Sequence, residues 1–274
     1  MQAPEPSCIL KLKRAYVHLK ELDIACQGWL AAHNKFTCRL EPCTDTPGYF
    51  WIKAACDPIP NEPFPVLIGD VVQNLRGALD HLIYALGSAH SGTLSEQDAR
   101  YSQFPIIGDE SETGTKGIGQ GKWRDNALPQ MVPKLSPQAQ AVIEGLQPFK
   151  LGSNFRTHIL WRLNELVNRD KHRFVHVAVA QGSGMSINTN RSRNLQILPG
   201  VIHVYAPVMN GETVIAKIRL APIDARSEMH VEINPVLSVC FKDGISEGKE
   251  VIKELGEIHN FVVKDIFPKL MPLI

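Results

Sequence analysis

Residues 66–86, VLIGDVVQNLRGALDHLIYAL, form the strongest helical segment of this 274-residue chain. Apolar side chains recur there every three or four residues and cover a broad arc, which is typical of a central, mostly buried helix. Pro65 suits the first turn of that helix. The same spacing predicts further helices over residues 8–32, 136–146 with Ser136 as its N-cap, 154–171, and 244–266 with Pro268 ending it.

The pattern changes at residues 174–180, FVHVAVA, where apolar positions alternate as they do in a strand. Asn210-Gly211 is a typical two-residue hairpin turn. The other predicted strands cover residues 195–198, 201–209, 213–221 and 228–233. Because no helix separates these strands, we expect an antiparallel sheet. The fold class is therefore α+β: a helical core with long central helices, a late antiparallel β-sheet and a C-terminal helix.

The expected domain organisation follows from the order of these segments. Residues 1–172 form the helical core, with a small β-hairpin at 35–56 and a mobile glycine-rich loop at 108–121. Residues 173–274 form the antiparallel sheet and the C-terminal helix, packed as one unit with the core.

Composition limits the classes of protein to consider. The chain is 44% hydrophobic and 21% charged, as in globular proteins. Its net charge of +1 provides no general basic field, so nucleic-acid binding would need a local patch. Residues 150–173 form such a patch, with six Lys or Arg side chains and two acidic ones.

The chain shows neither a signal peptide nor a long apolar run, so we expect a cytoplasmic protein with no membrane partner. Its six cysteines form no CxxC motif. In a reducing compartment they are expected to be free thiols, and we predict no metal and no cofactor.

Two helices carry polar stripes whose residue types do not favour helix. The first stripe is Asp70, Asn74, Gly77, His81 and Tyr84; the second is Thr157, Trp161, Asn164, Asn168 and Lys171, with His172 at its edge. Asn and Gly each cost roughly 0.5–1 kcal/mol in a helix interior. Either the stripes form a buried network that fixes helix pairing, or they line a ligand groove between the two helices. The candidate binding residues are Asp70, Asn74, Asp80, Trp161, Asn164, Asn168, Lys171, His172 and Arg173.

The same segments carry a family resemblance. NLRGALDHLIYAL (74–86) and LNELVNRDKHRF (163–174) resemble helix signatures, NLRxALDHL and NxxDKHR, of a family of bacterial proteins with no assigned activity. The phrases FPI (104–106) and IEGLQPF (143–149) lie between them, as in that family. The resemblance covers about residues 65–175 and implies no reaction.

Arg76-Gly-Ala-Leu-Asp-His81 also resembles the Arg-x4–6-His motif of HEPN domains, many of which are metal-independent ribonucleases. This resemblance implies that His81 is the general acid/base and that Arg76 binds the scissile phosphate. It also implies RNA or a nucleotide as partner, and a homodimer that completes the site. A regular helix separates Arg76 and His81 by about 140°, so the partner subunit could supply one of the two.

Two alternatives remain open from the sequence. One is a non-catalytic module that binds a small anionic ligand or a peptide in the groove between the two polar-striped helices. The other is a metal-dependent hydrolase using His81, His172 and one carboxylate from Asp80, Asp170 or Glu165.

Overall fold

The computed structural model confirms the α+β class. It describes residues 5–32, 37–55, 59, 63–100, 102–108, 134–172, 175, 177–188, 195–198, 203–204, 212–222 and 232–274. The chain divides into two compact units. The helical unit comprises Met1–Leu22, Pro65–Val175 and Ile252–Ile274, and the sheet unit comprises Asp23–Phe64 and His176–Val251.

The longer helices agree with the apolar periodicity, whereas the five-residue helix Glu96–Arg100 lies in a stretch predicted to be loop. In chain order they are α1 (Ser7–Ala32), α2 (Phe64–Ser91), α3 (Glu96–Arg100), α4 (Pro137–Gly145), α5 (Ile159–His172), α6 (Val251–Phe261) and α7 (Phe267–Leu270). The expected cap forms, since Ser136 Oγ accepts a hydrogen bond from Ala139 N at 3.2 Å. Most of the apolar arc of α2 is buried, as predicted for a central helix, with Ile68, Leu75, Leu79, Leu82 and Ile83 fully buried.

Two helices differ from their predicted limits. The helix predicted from residue 154 begins at Ile159, because Pro148–Thr157 is a 3₁₀ segment interrupted at Gly152, whose φ is 55°. The helix predicted over 244–266 begins only at Val251, after a turn in which Gly244 and Gly248 have positive φ.

Pro268 does not end the helical path, contrary to the prediction. A π-helical turn, Val262–Ile266, precedes it, and Phe267 N bonds to Val262 O. Pro268 therefore stands in the first turn of α7, where a missing N–H costs no helical hydrogen bond.

The strands form two antiparallel sheets. They are β1 (Thr37–Pro42), β2 (Tyr49–Ala55), β3 (Val177–Asn188), β4 (Leu195–Ile197), β5 (His203–Val204), β6 (Thr213–Pro222) and β7 (Glu232–Phe241). The larger sheet has the order β1-β2-β6-β4, with β5 also paired to β6, and β3 pairs with β7.

The chain divides differently from the expected boundary at residues 172 and 173. The N-terminal hairpin pairs through β2 with β6, so it belongs to the sheet unit. The C-terminal helices belong to the helical unit. Turn residues Asn210-Gly211 and the glycine-rich loop beyond Gly108 lie outside the described residues. No helix that the structure describes is both long enough and apolar enough to span a bilayer.

Candidate ligand-binding pocket

The polar stripe of α2 faces α1. Asp70 Oδ2 lies 3.9 Å from His18 Nδ1, and His81 Nδ1 lies 3.0 Å from Ser7 Oγ. Between them, a Cβ placed on Gly77 would lie 3.6 Å from Lys11 Cδ. Three levels of this stripe therefore contact α1, so it does not line a groove shared with α5.

Asn74 has a local role in this stripe. Its Nδ2 donates to Asp70 O at 2.8 Å, one turn earlier on the same helix. Such a bond satisfies a side chain that otherwise weakens a helix interior.

The polar stripe of α5 is mostly solvent-facing. Asn168, Lys171 and His172 are exposed, and Asn164 is half-buried. Trp161 is a packing residue: its ring meets the Phe155 ring edge-on, with the centroids 4.7 Å apart. Arg173, the last candidate at this helix end, lies outside the described residues.

Helices α2 and α5 meet instead through Asp170, which lies outside both stripes. Gln73 Nε2 donates to Asp170 Oδ2 at 2.8 Å. A Cβ on Gly69 would collide with the same carboxylate, so glycine is what permits the close approach. A shared groove between the two polar stripes is one of the two interpretations that the sequence leaves open, and this contact between α2 and α5 lies outside both stripes.

Arg76 is bound to a carboxylate on its own helix. Its Nη2 lies 3.1 Å from Asp80 Oδ1, and its Nε donates to Asp80 Oδ2 at 3.2 Å. Asp80 Oδ1 also accepts from Phe104 N at 2.8 Å. Burial raises the pKa of Asp80, while Arg76, the Phe104 amide and the charge of Lys171 act to lower it. Arg76 thus serves first as the partner of a partly desolvated carboxylate.

A pocket of about 370 Å³ opens beside α2 in the helical unit. Its lining residues come from α1, α2, α3 and the segment that follows α3: Ser7, Asp80, His81, Tyr84, Ala99 and Ser102. Of the two residues expected from the Arg-x4-His pattern, His81 lines this pocket and Arg76 does not.

Sequence reasoning named only part of this lining. Asp80 and His81 were candidate site residues, and Tyr84 belongs to the α2 stripe. Ser7 and Ser102 were missed, because each is remote in sequence from α2 and a lone serine carries no motif. The positions of Ser7 at the start of α1 and of Ser102 just before the FPI phrase become informative only after folding.

A buried amide explains two phrases of the family resemblance. Gln147, from IEGLQPF, is fully buried. Its Oε1 accepts from Ile107 N at 3.1 Å, and its Nε2 donates to Pro105 O and Ile143 O, each at 3.0 Å. Together with the bond from Phe104 N to Asp80, this amide fixes the segment 104–107, which begins with FPI. These signature residues therefore have a structural role.

A metal-hydrolase site is not assembled in the part of the chain that the structure describes. No three His, Cys, Asp or Glu side chains there lie close enough to hold a metal ion. His172 is exposed at the end of α5, and His81 is bound to Ser7.

Comparisons with protein-family models, with curated proteins and with solved structures found no match to this chain. The functional argument therefore depends on the pocket and its chemistry.

Proposed function

We propose that the helical unit binds a small polar molecule in the pocket lined by Ser7, Asp80, His81 and Tyr84. The observation that carries this proposal is the convergence of a carboxylate, an imidazole and a phenol on one concave site of ligand size. In the described chain, His81 Nδ1 engages Ser7, while Nε2 has no hydrogen-bond partner and can bind a ligand.

The lining also indicates the chemistry of the ligand. Asp80 contributes a carboxylate to the lining, and both of its oxygens already accept hydrogen bonds, from Arg76 and from Phe104 N. An anionic ligand would meet a carboxylate, so we favour a neutral or cationic one that donates hydrogen bonds. Tyr84, 45% exposed, offers a ring against which a flat group can pack. The binding-module alternative considered from the sequence was instead for a small anionic ligand or a peptide.

A thermal-shift screen followed by calorimetry tests this function. The panel comprises nucleosides, amine-bearing metabolites, inorganic phosphate and sulfate. We expect neutral or cationic members to stabilise the protein, by about 2.7 kcal/mol when present at about 100 times Kd. His81→Ala and Tyr84→Ala should weaken binding at least about tenfold, the loss of roughly one good polar or aromatic contact.

His90→Ala is the matched control, because His90 is exposed in the last turn of the same helix. Stabilisation by no member of the panel, or equal losses in His81→Ala and His90→Ala, would reject the pocket as the binding site.

We also propose a second function, metal-independent RNA cleavage, which the unengaged Nε2 of His81 favours. There His81 would act as general acid/base toward RNA or a nucleotide. Because Arg76 is bound to Asp80, phosphate would have to compete with Asp80 for the Arg76 guanidinium or bind a cation of a partner subunit.

To test this second function, purified protein is assayed on total bacterial RNA with and without EDTA. EDTA-resistant cleavage that is lost in His81→Ala but retained in His90→Ala supports this function, and its absence from the wild type rejects it.

A homodimer in the cytoplasm is part of the proposal. Exposed apolar residues recur every seven positions on α1, at Leu10, Val17 and Ile24, which suits pairing with a second copy. The five described cysteines are free, in agreement with a reducing compartment.

Light scattering tests the homodimer. It should give twice the mass of the chain, and Val17→Lys should shift the measured mass toward that of the monomer. A monomer at every concentration would count against the dimer.

A further inference from the structure

One face of the larger sheet combines aromatic and basic side chains. Tyr49 and Trp51 alternate along β2, and Lys217 and Arg219 alternate along β6. The register pairs Tyr49 with Arg219 and Trp51 with Lys217, so all four side chains share one face. We name these four residues the aromatic–basic face.

The opposite face of the same strands is core. Ile52, Ala54, Ile218 and Leu220 are fully or almost fully buried there. On the aromatic–basic face, Arg219 is exposed and the other three residues are half-buried. Strands with one buried and one accessible face display their outward side chains as a platform.

The two aromatic rings of this face form cation–π contacts with its two basic side chains. Lys217 Nζ lies 5.0 Å from the Tyr49 ring centroid and 4.7 Å from that of Trp51, and the Arg219 guanidinium lies 5.7 Å from that of Tyr49. Lys217 also donates to Thr46 Oγ1 at 3.1 Å. Such cation–π contacts keep the basic groups beside the rings without neutralising their charge.

Carboxylates on this sheet are bound to other cations. Glu41 is paired with Arg39 and Lys53, and Glu212 with Arg39. Over the described residues, neither Lys217 nor Arg219 forms an ion pair with a carboxylate. Arg219 is exposed and Lys217 is half-buried, and no described carboxylate neutralises either charge.

We propose that the aromatic–basic face binds single-stranded nucleic acid. Bases would replace the two cations over the Tyr49 and Trp51 rings, and the displaced Lys217 and Arg219 side chains would bind the phosphates between the bases. Alternate residues of a strand are about 7 Å apart, which leaves room for one base on each ring. This surface lies in the sheet unit, so the inference goes beyond the pocket function and does not depend on it.

Fluorescence anisotropy of the full chain with labelled oligonucleotides tests this inference. The probes are twelve-nucleotide oligo(U) and oligo(dT), a twelve-base-pair duplex, and a twelve-residue oligoglutamate. We expect both single strands to bind at least about five times more tightly than the duplex, because stacked bases in a duplex cannot reach the rings. For two phosphate contacts, log K should fall against log salt with a slope of about −1.4. A preference for oligo(U) or oligo(dT) shows whether RNA or DNA is the better ligand, and either preference supports the proposal.

The variants separate stacking from charge. Tyr49→Leu and Trp51→Leu should each weaken single-strand binding at least about fivefold, the lower end of the loss seen when a stacked ring is removed. Lys217→Gln combined with Arg219→Gln should remove most of the salt dependence, and it spares the apolar face of the sheet. Circular dichroism checks the fold of each variant.

The matched control is Tyr16→Leu with Lys20→Gln, a cation–π pair of 5.5 Å on α1. It should leave binding unchanged. The proposal is overturned if the wild type binds no single strand, if the duplex or oligoglutamate binds equally well, or if the control pair loses as much affinity.

Discussion

Gly108 shows at the scale of one residue why a glycine can be required by packing. A Cβ placed there would lie 2.5 Å from two carbons of the Phe155 ring and 2.8 Å from Trp161 Cζ3. Both neighbours are rigid rings, so they cannot move aside as a flexible chain would. We expect Gly108→Ala to lower the free energy of unfolding by about 1–3 kcal/mol. Gly256→Ala in α6, where nothing lies within 4 Å, should instead stabilise by roughly 0.5–1 kcal/mol. Urea unfolding measures both, and equal effects would contradict the packing account.

Gln147 is the clearest buried polar residue of the helical unit. Replacing it with leucine removes the side-chain partner of Ile107 N and of Pro105 O, while Ile143 O keeps its bond from Leu146 N. Because an unpaired buried group costs about 1–3 kcal/mol, we expect Gln147→Leu to destabilise by about 2–5 kcal/mol. Gln27→Leu, in an exposed pair with Asp23, should change stability by less than about 0.5 kcal/mol. If thermal unfolding showed only a small loss of stability in Gln147→Leu, the segment 104–107 would be held by other contacts.

At the scale of elements, a buried ion pair joins α5 and α6. Two histidines lie on these elements, His158 just before α5 and His259 within α6. Arg162 on α5 pairs with Glu254 on α6, and both side chains are buried. His158 precedes α5, and its Nδ1 accepts from Leu160 N at 3.2 Å, a bond that only the unprotonated nitrogen can accept. Burial and the charge of Arg162 lower the pKa of His158, and burial lowers that of His259.

These shifts predict the pH dependence of stability. In the unfolded chain these histidines bind a proton near pH 6.5, whereas in the folded protein they bind it only at a lower pH. The stabilisation is therefore present above about pH 6.5 and is lost as pH falls through the lower folded pKa values. We expect the unfolding temperature to drop between pH 7.5 and 5.5, and His158→Asn, which keeps an acceptor, to reduce that drop. The control is His90→Asn, at an exposed site. If the unfolding temperature of His158→Asn dropped as much as that of the wild type and of this control, His158 would not be the source of the pH dependence.

At the scale of the whole molecule, the reactivity of three cysteines reports how well the sheet unit, which contains all three, excludes solvent. Burial raises the pKa of Cys26 and Cys240 to about 12 and that of Cys38 to about 11. Because the thiolate is the reacting form, native protein at pH 8 should be alkylated by iodoacetamide at these positions at least about tenfold more slowly than a free cysteine peptide. Unfolded protein should react fully at all three. Mass spectrometry of the labelled peptides measures each position, and fast labelling in the native state would contradict this burial.

Local patterns in the sequence determined the elements of this protein. Apolar spacing located α1 and α2, Ser136 marked the start of α4, and alternation located β6, because these signals depend only on neighbouring residues. The start of α5 at Ile159 and the path through Pro268 escaped prediction, because a 3₁₀ segment and a π turn leave no clear spacing.

Only the tertiary structure decided which element covers each face. The stripe of α2 predicted a polar contact, but α1 and not α5 supplies it, through Ser7 and His18. The N-terminal hairpin joins β6, more than 150 residues later, and so creates the aromatic–basic face. Periodicity shows which side of a helix or strand is covered. The covering partner is set by long-range packing, which no short stretch of sequence contains.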